Sequence, residues 1–183
     1  MRFPVFFDTN VLYSASLNDF LLRLAARGAF RPLWSADVLD ELGRNLRRSL
    51  PPRAVDRRID AMRQHFPDAM VSGYDSLIGV MRNHPKDRHV LAAAVRADAA
   101  VLVTFDLADF GPASVVGFDL EVRHPDAFLL DQLDLLPELV LEALHEWSDA
   151  CSAPPLTPLQ LVSALERAGV PRFARMMRQA LEE

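Results

Sequence analysis

The stretch Phe3-Pro4-Val5-Phe6-Phe7-Asp8-Thr9-Asn10 constrains this chain more than any other. A short apolar run bounded by turn-forming residues reads as a buried strand. This one stops at a carboxylate followed by Thr and Asn, residue types that favour turns and helix N-caps. In open α/β sheets, ligands bind beyond the carboxyl ends of the strands. Asp8 is therefore expected at that edge, beside a helix start, and the remaining chain has to show which groups converge on it.

Further along, strand and helix patterns alternate. Helices are predicted over Leu17–Arg27 with Gly28 as the stop, over Ala36–Arg48 with Ser35 as N-cap, over Pro52–His65 and over Lys86–Ala97. Strands are predicted at Phe30–Trp34, Ala69–Val71, Ala100–Val103, Ser114–Val116 and Glu121–Arg123. The run Ala100-Val101-Leu102-Val103 is continuously apolar, as a central parallel strand should be. It too ends near a carboxylate, in Thr104-Phe105-Asp106. This alternation implies an α/β fold, a parallel sheet with helices on both faces. From His124 onward the pattern is helical only, with Pro137, Pro158 and Pro171 marking starts and Ala153-Pro154-Pro155 as the linker candidate. The expected division is 1–123 for the α/β unit and 124–183 for a helical C-terminal extension.

Composition excludes several function classes. No apolar run approaches the ~20 residues of a bilayer span, and no basic-then-apolar leader precedes Asp8, so a cytoplasmic protein without membrane association is expected. Cys151 is the sole cysteine, which rules out an internal disulfide and a cysteine-built zinc site. The net charge of −5 argues against nucleic-acid binding by bulk positive charge. Its distribution says more. Residues 44–63 hold seven arginines against two aspartates, whereas residues 119–149 hold nine acids against Arg123 alone. The first segment could meet phosphate, the second would repel it; a pair of solvated helices is the plainer reading of the first. Trp34 and Trp147 are expected as core anchors. The five histidines show no H-E-x-x-H spacing and are expected mostly as surface or packing residues; His84 and His89 flank Asp87 and stand as minor site candidates.

Four carboxylates occupy positions that packing does not readily explain. Asp8 and Asp106 follow apolar strands. Asp87 opens a helix on the same face as Val90, Leu91 and Ala94; a simple cap is the alternative. Glu41 lies mid-helix at the margin of an apolar stripe, where a solvated surface role is the alternative. Gathered at one strand edge, such acids repel each other and resist desolvation. A hard dication relieves that conflict, and all-oxygen donors suit Mg²⁺ or Mn²⁺.

The motifs D-T-N after the first strand, S-A-D-V-L-D-E-L-G-R, K-D-R-H-V-L-A-A-A and L-V-T-F-D-L-A-D-F, in this order, resemble those of the PIN-domain nucleases over roughly Arg2–Arg123. The resemblance implies a three-layer αβα fold and metal-dependent cleavage of RNA. It places Asp8, Glu41, Asp87 and Asp106 as catalytic, metal-binding acids, with Asn10, Thr104 and Asp109 in support. Arg44, Arg48, Lys86 and Arg88 are the candidate RNA contacts. Many bacterial members are VapC-type toxins held inactive by an antitoxin. Compact toxins of that type end soon after the fourth acid, whereas here a helical stretch of some 60 residues follows residue 123; that tail is a candidate dimerisation element, partner dock or part of a longer PIN subgroup. A catalytically silent binding module of the same fold, or another Mg²⁺-dependent phosphohydrolase, stands as the alternative.

Overall fold

The computed structural model describes residues 2–182. The N-terminal part alternates β1 (Pro4–Phe7), α1 (Thr9–Tyr13), α2 (Ala15–Ala26), β2 (Arg31–Ser35), α3 (Ala36–Leu46), α4 (Pro52–His65), β3 (Met70–Val71), α5 (Asp75–Ile78), α6 (Arg88–Arg96), β4 (Val101–Val103), α7 (Pro112–Val115) and β5 (Glu121–Arg123). The C-terminal part is α8 (Pro125–Leu135), α9 (Pro137–Ala150), α10 (Pro158–Arg167) and α11 (Pro171–Ala180). The five strands form one sheet in the order β3-β2-β1-β4-β5, with every pairing parallel.

β1 sits in the middle. Successive strand side chains point to opposite faces, yet Val5, Phe6 and Phe7 are all fully buried. Both faces of the sheet are therefore covered by helices, the layered α/β arrangement expected from the alternation. From β1 the chain steps outward through β2 to β3, then returns to place β4 on the other side of β1. The direction of winding reverses between β1 and β4. A crevice opens at such a switch point, beyond the strands' carboxyl ends, and Asp8 and Thr104 lie there.

Local sequence explains most boundaries. Ser14, Ser35 and Thr157 cap α2, α3 and α10 through their hydroxyls, and Thr157 forms a reciprocal capping box with Gln160. Gly28 ends α2 with φ +95°, a conformation costly for any other residue. Residues 114–116 depart from expectation: Ser114 and Val115 belong to α7 and Val116 is its C-cap, so no edge strand forms there. Pro112 occupies the first turn and the Ser114 hydroxyl donates to the Gly111 carbonyl (2.6 Å), which together start a helical turn. The helix expected from Lys86 begins later as well, because Pro85–Asp87 forms a 3₁₀ turn ahead of α6.

The C-terminal helices share the core of the sheet domain. Phe128 of α8 packs edge-on against Phe7 of β1 (6.1 Å between centroids) and Phe30 (5.2 Å). Phe20 of α2 contacts both Trp147 of α9 and Phe173 of α11, each at 5.8 Å. Trp34 and Trp147 are buried, as anchors should be. The buried Asp126 carboxylate accepts from the backbone N–H groups of Arg172 (3.2 Å) and Phe173 (2.8 Å), supplying the start of α11 with acceptors from another helix. Arg27 at the end of α2 pairs with Glu142 and Glu146 of α9. Between α10 and α11, Gly169 has φ +101°, and a Cβ there would lie 2.8 Å from Cε1 of Phe105. The extension thus reaches the turn immediately before Asp106.

Candidate functional site

β1 ends at Phe7 and the Asp8 side chain immediately caps α1, its Oδ1 accepting from the Thr9 N–H at 2.7 Å. Across the switch point, Thr104 follows β4. Its hydroxyl oxygen accepts from the Asp106 N–H (3.1 Å), so its own proton is left to point at Oδ2 of Asp8 (2.8 Å). Asn10 completes the web. Its Oδ1 accepts from the Phe105 N–H (3.2 Å), and its amide Nδ2 lies 3.1 Å from Oδ2 of Asp8, 3.3 Å from the Thr104 hydroxyl and 3.2 Å from Oδ2 of Asp106. Asn10 and Thr104 therefore hold two carboxylates from distant segments in fixed relation. The remaining acids arrive on helices. Glu41 of α3 receives the Thr9 hydroxyl at 3.3 Å. Asp87 precedes α6, where its backbone carbonyl accepts from the side-chain amide of buried Asn83 (2.9 Å).

Asp8, Glu41, Asp87 and Asp106 line one hollow of about 350 Å³, together with Thr9, Asn10, Tyr13, Asn45, Arg48 and Lys86. The alternative reading of Asp87 as an ordinary cap fails on geometry: its side chain makes no capping bond, and its buried Oδ2 has no hydrogen-bond partner. A buried carboxylate oxygen without a donor is costly unless something positive completes it. Burial raises the Asp87 pKa to about 7, reinforced by neighbouring Asp109 and by the charge of Asp8, and opposed by Lys86. Burial also raises the Asp8 pKa; the Thr104 and Thr9 hydrogen bonds pull it back, while Glu41 and Asp106 push it up again. A divalent cation among these oxygens would relieve both the desolvation and the mutual repulsion. The donor set fits Mg²⁺ or Mn²⁺. The four acids do not crowd, since no three of them bring donor atoms within 4.8 Å of one another; that spacing occurs instead in His84, Asp87 and Asp109. A hollow of this size leaves room for waters and a substrate oxygen, as Mg²⁺ prefers.

The other expected residues scatter. Arg48 and Lys86 are on the rim. Arg44 instead faces a second recess between α3 and α4, with Arg47 and Arg63. Arg88 donates to the Asn83 carbonyl (3.3 Å). Part of the arginine-rich segment is committed to the fold itself: Arg58 binds the carbonyls of Leu12 and Tyr13, and Arg47 pairs with Asp56. Asp109 lies outside the hollow lining, 3.5 Å from the Lys86 ammonium. Thr9, Tyr13 and Asn45 were not anticipated. Helical spacing held the signal for Asn45, because Glu41, Asn45 and Arg48 are i, i+4 and i+7 on one face.

Known proteins resemble this chain along both of its parts. The PIN domain family model matches residues 4–108. The chain belongs to the PIN-domain family. A second model, the VapC50 C-terminal domain, matches residues 125–179. A curated relative from Mycobacterium tuberculosis (strain ATCC 25618 / H37Rv), named "Putative ribonuclease VapC50", is 46% identical over 111 residues, covering 61% of this chain and 65% of the relative. The chain thus spans just under two thirds of that relative's length. No solved structure matches it.

Two outcomes test this PIN site directly. Thr104→Val keeps the shape but removes the proton donated to Asp8 and the acceptor for the Asp106 N–H. Such outer groups typically contribute about 10–100-fold to metal affinity, so Mn²⁺ affinity, measured by titration calorimetry, is expected to fall within that range. The second concerns pH. The folded pKa values of Asp8 and Asp87 lie above the ordinary value of 3.8. Their contribution to stability is therefore complete below that pH and is lost as pH rises, for Asp87 through about 7. In EDTA, the melting temperature of the parent should drop more between pH 5 and 8 than that of Asp87→Asn, and Mn²⁺ should reverse the difference. Parallel melting curves for the two proteins would contradict the assignment.

Proposed function

We propose that this chain is a Mg²⁺- or Mn²⁺-dependent endoribonuclease of the VapC type, the toxin of a toxin–antitoxin pair acting in the cytoplasm. The observation that carries the reading is the hollow at the β1/β4 switch point, where acids from four distant segments meet beneath Arg48 and Lys86. The relative's name, with its word ribonuclease, supports the same reaction. Among the described residues no helix is long and apolar enough to cross a membrane. We divide the chain into a nuclease unit, 1–123, and a helical extension, 124–183.

In this reading Asp8, Asp87 and Asp106 would hold the ion, in part through intervening water, and Glu41 would bind a second ion or position the attacking water. A bound Mg²⁺ or Mn²⁺ would supply electrophilic polarisation of the phosphodiester and favour deprotonation of water at neutral pH. The protein's own groups do the positioning. Asn10 and Thr104 fix Asp8 against Asp106, the Thr104 proton keeps Asp8 in its acceptor form, and Thr9 steadies Glu41. Arg48 and Lys86 offer cations to the RNA backbone at the rim, and Arg44 and Arg88 could extend that contact only along a longer RNA. Asp109 supports the site through Lys86. A cognate antitoxin would have to cover the hollow, and the extension is the candidate surface for a homodimer.

The test is cleavage of a single-stranded RNA panel with Mn²⁺ or Mg²⁺, with and without EDTA, beside a phosphatase substrate. RNA cleavage that requires the ion is the expected result. Turnover of the phosphatase substrate alone would favour a different phosphohydrolase, and ion binding without any turnover would favour a silent module.

A further inference from the structure

Tyr13 and Asn45 line the hollow beside the acids, and neither cation binding nor packing accounts for them. The chain has two tyrosines, used differently. Tyr74 is 5% exposed and its hydroxyl donates to Asp37 Oδ2 at 2.7 Å, so it serves the fold. Tyr13 is 44% exposed, a large aromatic side chain left open to solvent in the lining of the hollow. Its position is nevertheless held. The Arg58 guanidinium of α4 donates to the carbonyls of Leu12 and Tyr13, the latter at 3.1 Å, and the side-chain amide of buried Asn18 donates to the Leu12 carbonyl at 3.0 Å. These bonds fasten the end of α1 through its backbone, and none uses the Tyr13 ring or hydroxyl. A fixed backbone beneath an open ring suits a stacking platform, since little freedom remains to be lost on binding. Asn45 follows the same division. Its backbone carbonyl accepts from the N–H groups of Arg47 and Arg48, the latter at 3.2 Å, in the last turn of α3. Its half-buried side chain lines the hollow between those of Glu41 and Arg48, one turn from each. A side-chain amide carries a donor and an acceptor together, the pair that matches the edge of a nucleobase.

We propose that Tyr13 and Asn45 form a nucleobase subsite: the Tyr13 ring stacks on one unpaired base adjoining the scissile phosphate, and the Asn45 amide hydrogen-bonds the edge of that base. The proposal rests on the nuclease reading for its substrate and narrows it to RNA that is unpaired at the cut. In a duplex the bases are stacked on their neighbours and turned to the partner strand, so a protein ring can reach only a base that is splayed out. Arg48, exposed and less than one turn beyond Asn45, meets the phosphate of the same nucleotide. The two residues carry different information. Stacking tolerates every base, because each has a π-face. An amide discriminates, because a mismatched edge leaves its donor or acceptor unpaired. Tyr13 therefore sets how tightly the RNA is held, and Asn45 sets which base is preferred beside the cut.

The full chain carrying Asp8→Asn, held in EDTA so that RNA stays uncut, serves for mapping. Single-stranded RNA with iodouridine in place of uridine should cross-link to Tyr13 on irradiation, as read by tandem mass spectrometry, because that base couples to an aromatic ring stacked on it. Binding of the same RNA should weaken by about fivefold to a hundredfold with Tyr13→Leu, the range of one base–aromatic stack. Tyr13→Phe, which keeps the ring and lacks the hydroxyl, should restore it. With Asp8 intact and Mn²⁺ present, the loss in kcat/KM caused by Tyr13→Leu should disappear on RNA that is abasic beside the cut, whereas a merely structural tyrosine would cost the same on both substrates. Asn45→Ala should narrow the spread of single-turnover rates among RNAs differing only in that base, by about fivefold or more. A cross-link that maps elsewhere, equal binding by the Tyr13→Leu and Tyr13→Phe proteins, an undiminished loss on abasic RNA or an unchanged base preference in Asn45→Ala overturns the proposal. If the parent cut no RNA with any ion while the cross-link and the contrast between Leu and Phe held, the nuclease reading alone would fall. If it cut RNA and those two were missing, the subsite alone would.

Discussion

Asp8→Asn is expected to reduce metal-dependent RNA cleavage by about 10³-fold or more, equivalent to roughly 4 kcal/mol of barrier, while leaving the fold in place. The side chain is 5% exposed at the head of the central strand and is the most heavily hydrogen-bonded acid of the hollow. Removing its charge takes away the ligand around which Asn10 and Thr104 are arranged. Stability should move far less. The substitution relieves desolvation and the repulsion from Glu41 and Asp106, but weakens the bonds from Thr9 and Thr104. With those effects opposed, the melting temperature in EDTA should stay within about 3 °C, the shift that ~1 kcal/mol produces in a chain of this size. Single-turnover cleavage kinetics and calorimetry on the same preparation separate the two. Cleavage at the parental rate would remove Asp8 from the mechanism; a collapse in melting temperature would make it a structural residue.

Phe128→Ala should have the opposite profile. The ring is buried between Phe7 and Phe30 and belongs to the helical extension. Truncating a buried Phe costs about 3–5 kcal/mol through lost transfer energy and the cavity left behind. At about 2–4 °C per kcal/mol, the melting temperature should fall by roughly 6–20 °C. The form of the transition is as informative as its midpoint. Because Phe7 lies on β1, the loss should move a single unfolding transition in which extension and sheet melt together. If instead two transitions appeared, with only the lower one displaced, residues 124–183 would unfold as an independent appendage.

The sequence made the sheet legible because its central strands are uninterrupted apolar runs ending in polar residues. Val5-Phe6-Phe7 and Val101-Leu102-Val103 could be placed and oriented with no knowledge of their neighbours. The helix α4 was bounded correctly by Pro52 and His65, since proline at the first turn is a local signal. Residues 114–116 misled because Ser-Val-Val has strand propensity, and the deciding influence, Pro112 with the Ser114–Gly111 hydrogen bond, acts through the preceding turn. Asp8 and Asp106 were legible as positions past strand ends, and Asp87 and Glu41 as acids on the margins of apolar helix stripes, but their distances apart were not. Spacing along a chain carries no information about whether donors meet at 3 Å or stand across a hollow. For the same reason His84 was visible only as a neighbour of Asp87 and Asp109 only as a supporting acid, though a backbone hydrogen bond ties the two together.

Gly169 lies flat against the ring of Phe105, the residue between Thr104 and Asp106. Any side chain at 169 would push that ring, and with it the turn that carries an acid of the hollow. Positions 105 and 169 are therefore a matched pair across 63 intervening residues, and a chimera joining this sheet domain to a foreign tail would have to bring both along. Sequence drift in the α10–α11 hairpin thus has a route to the acids of the hollow, and the tail cannot evolve as free cargo.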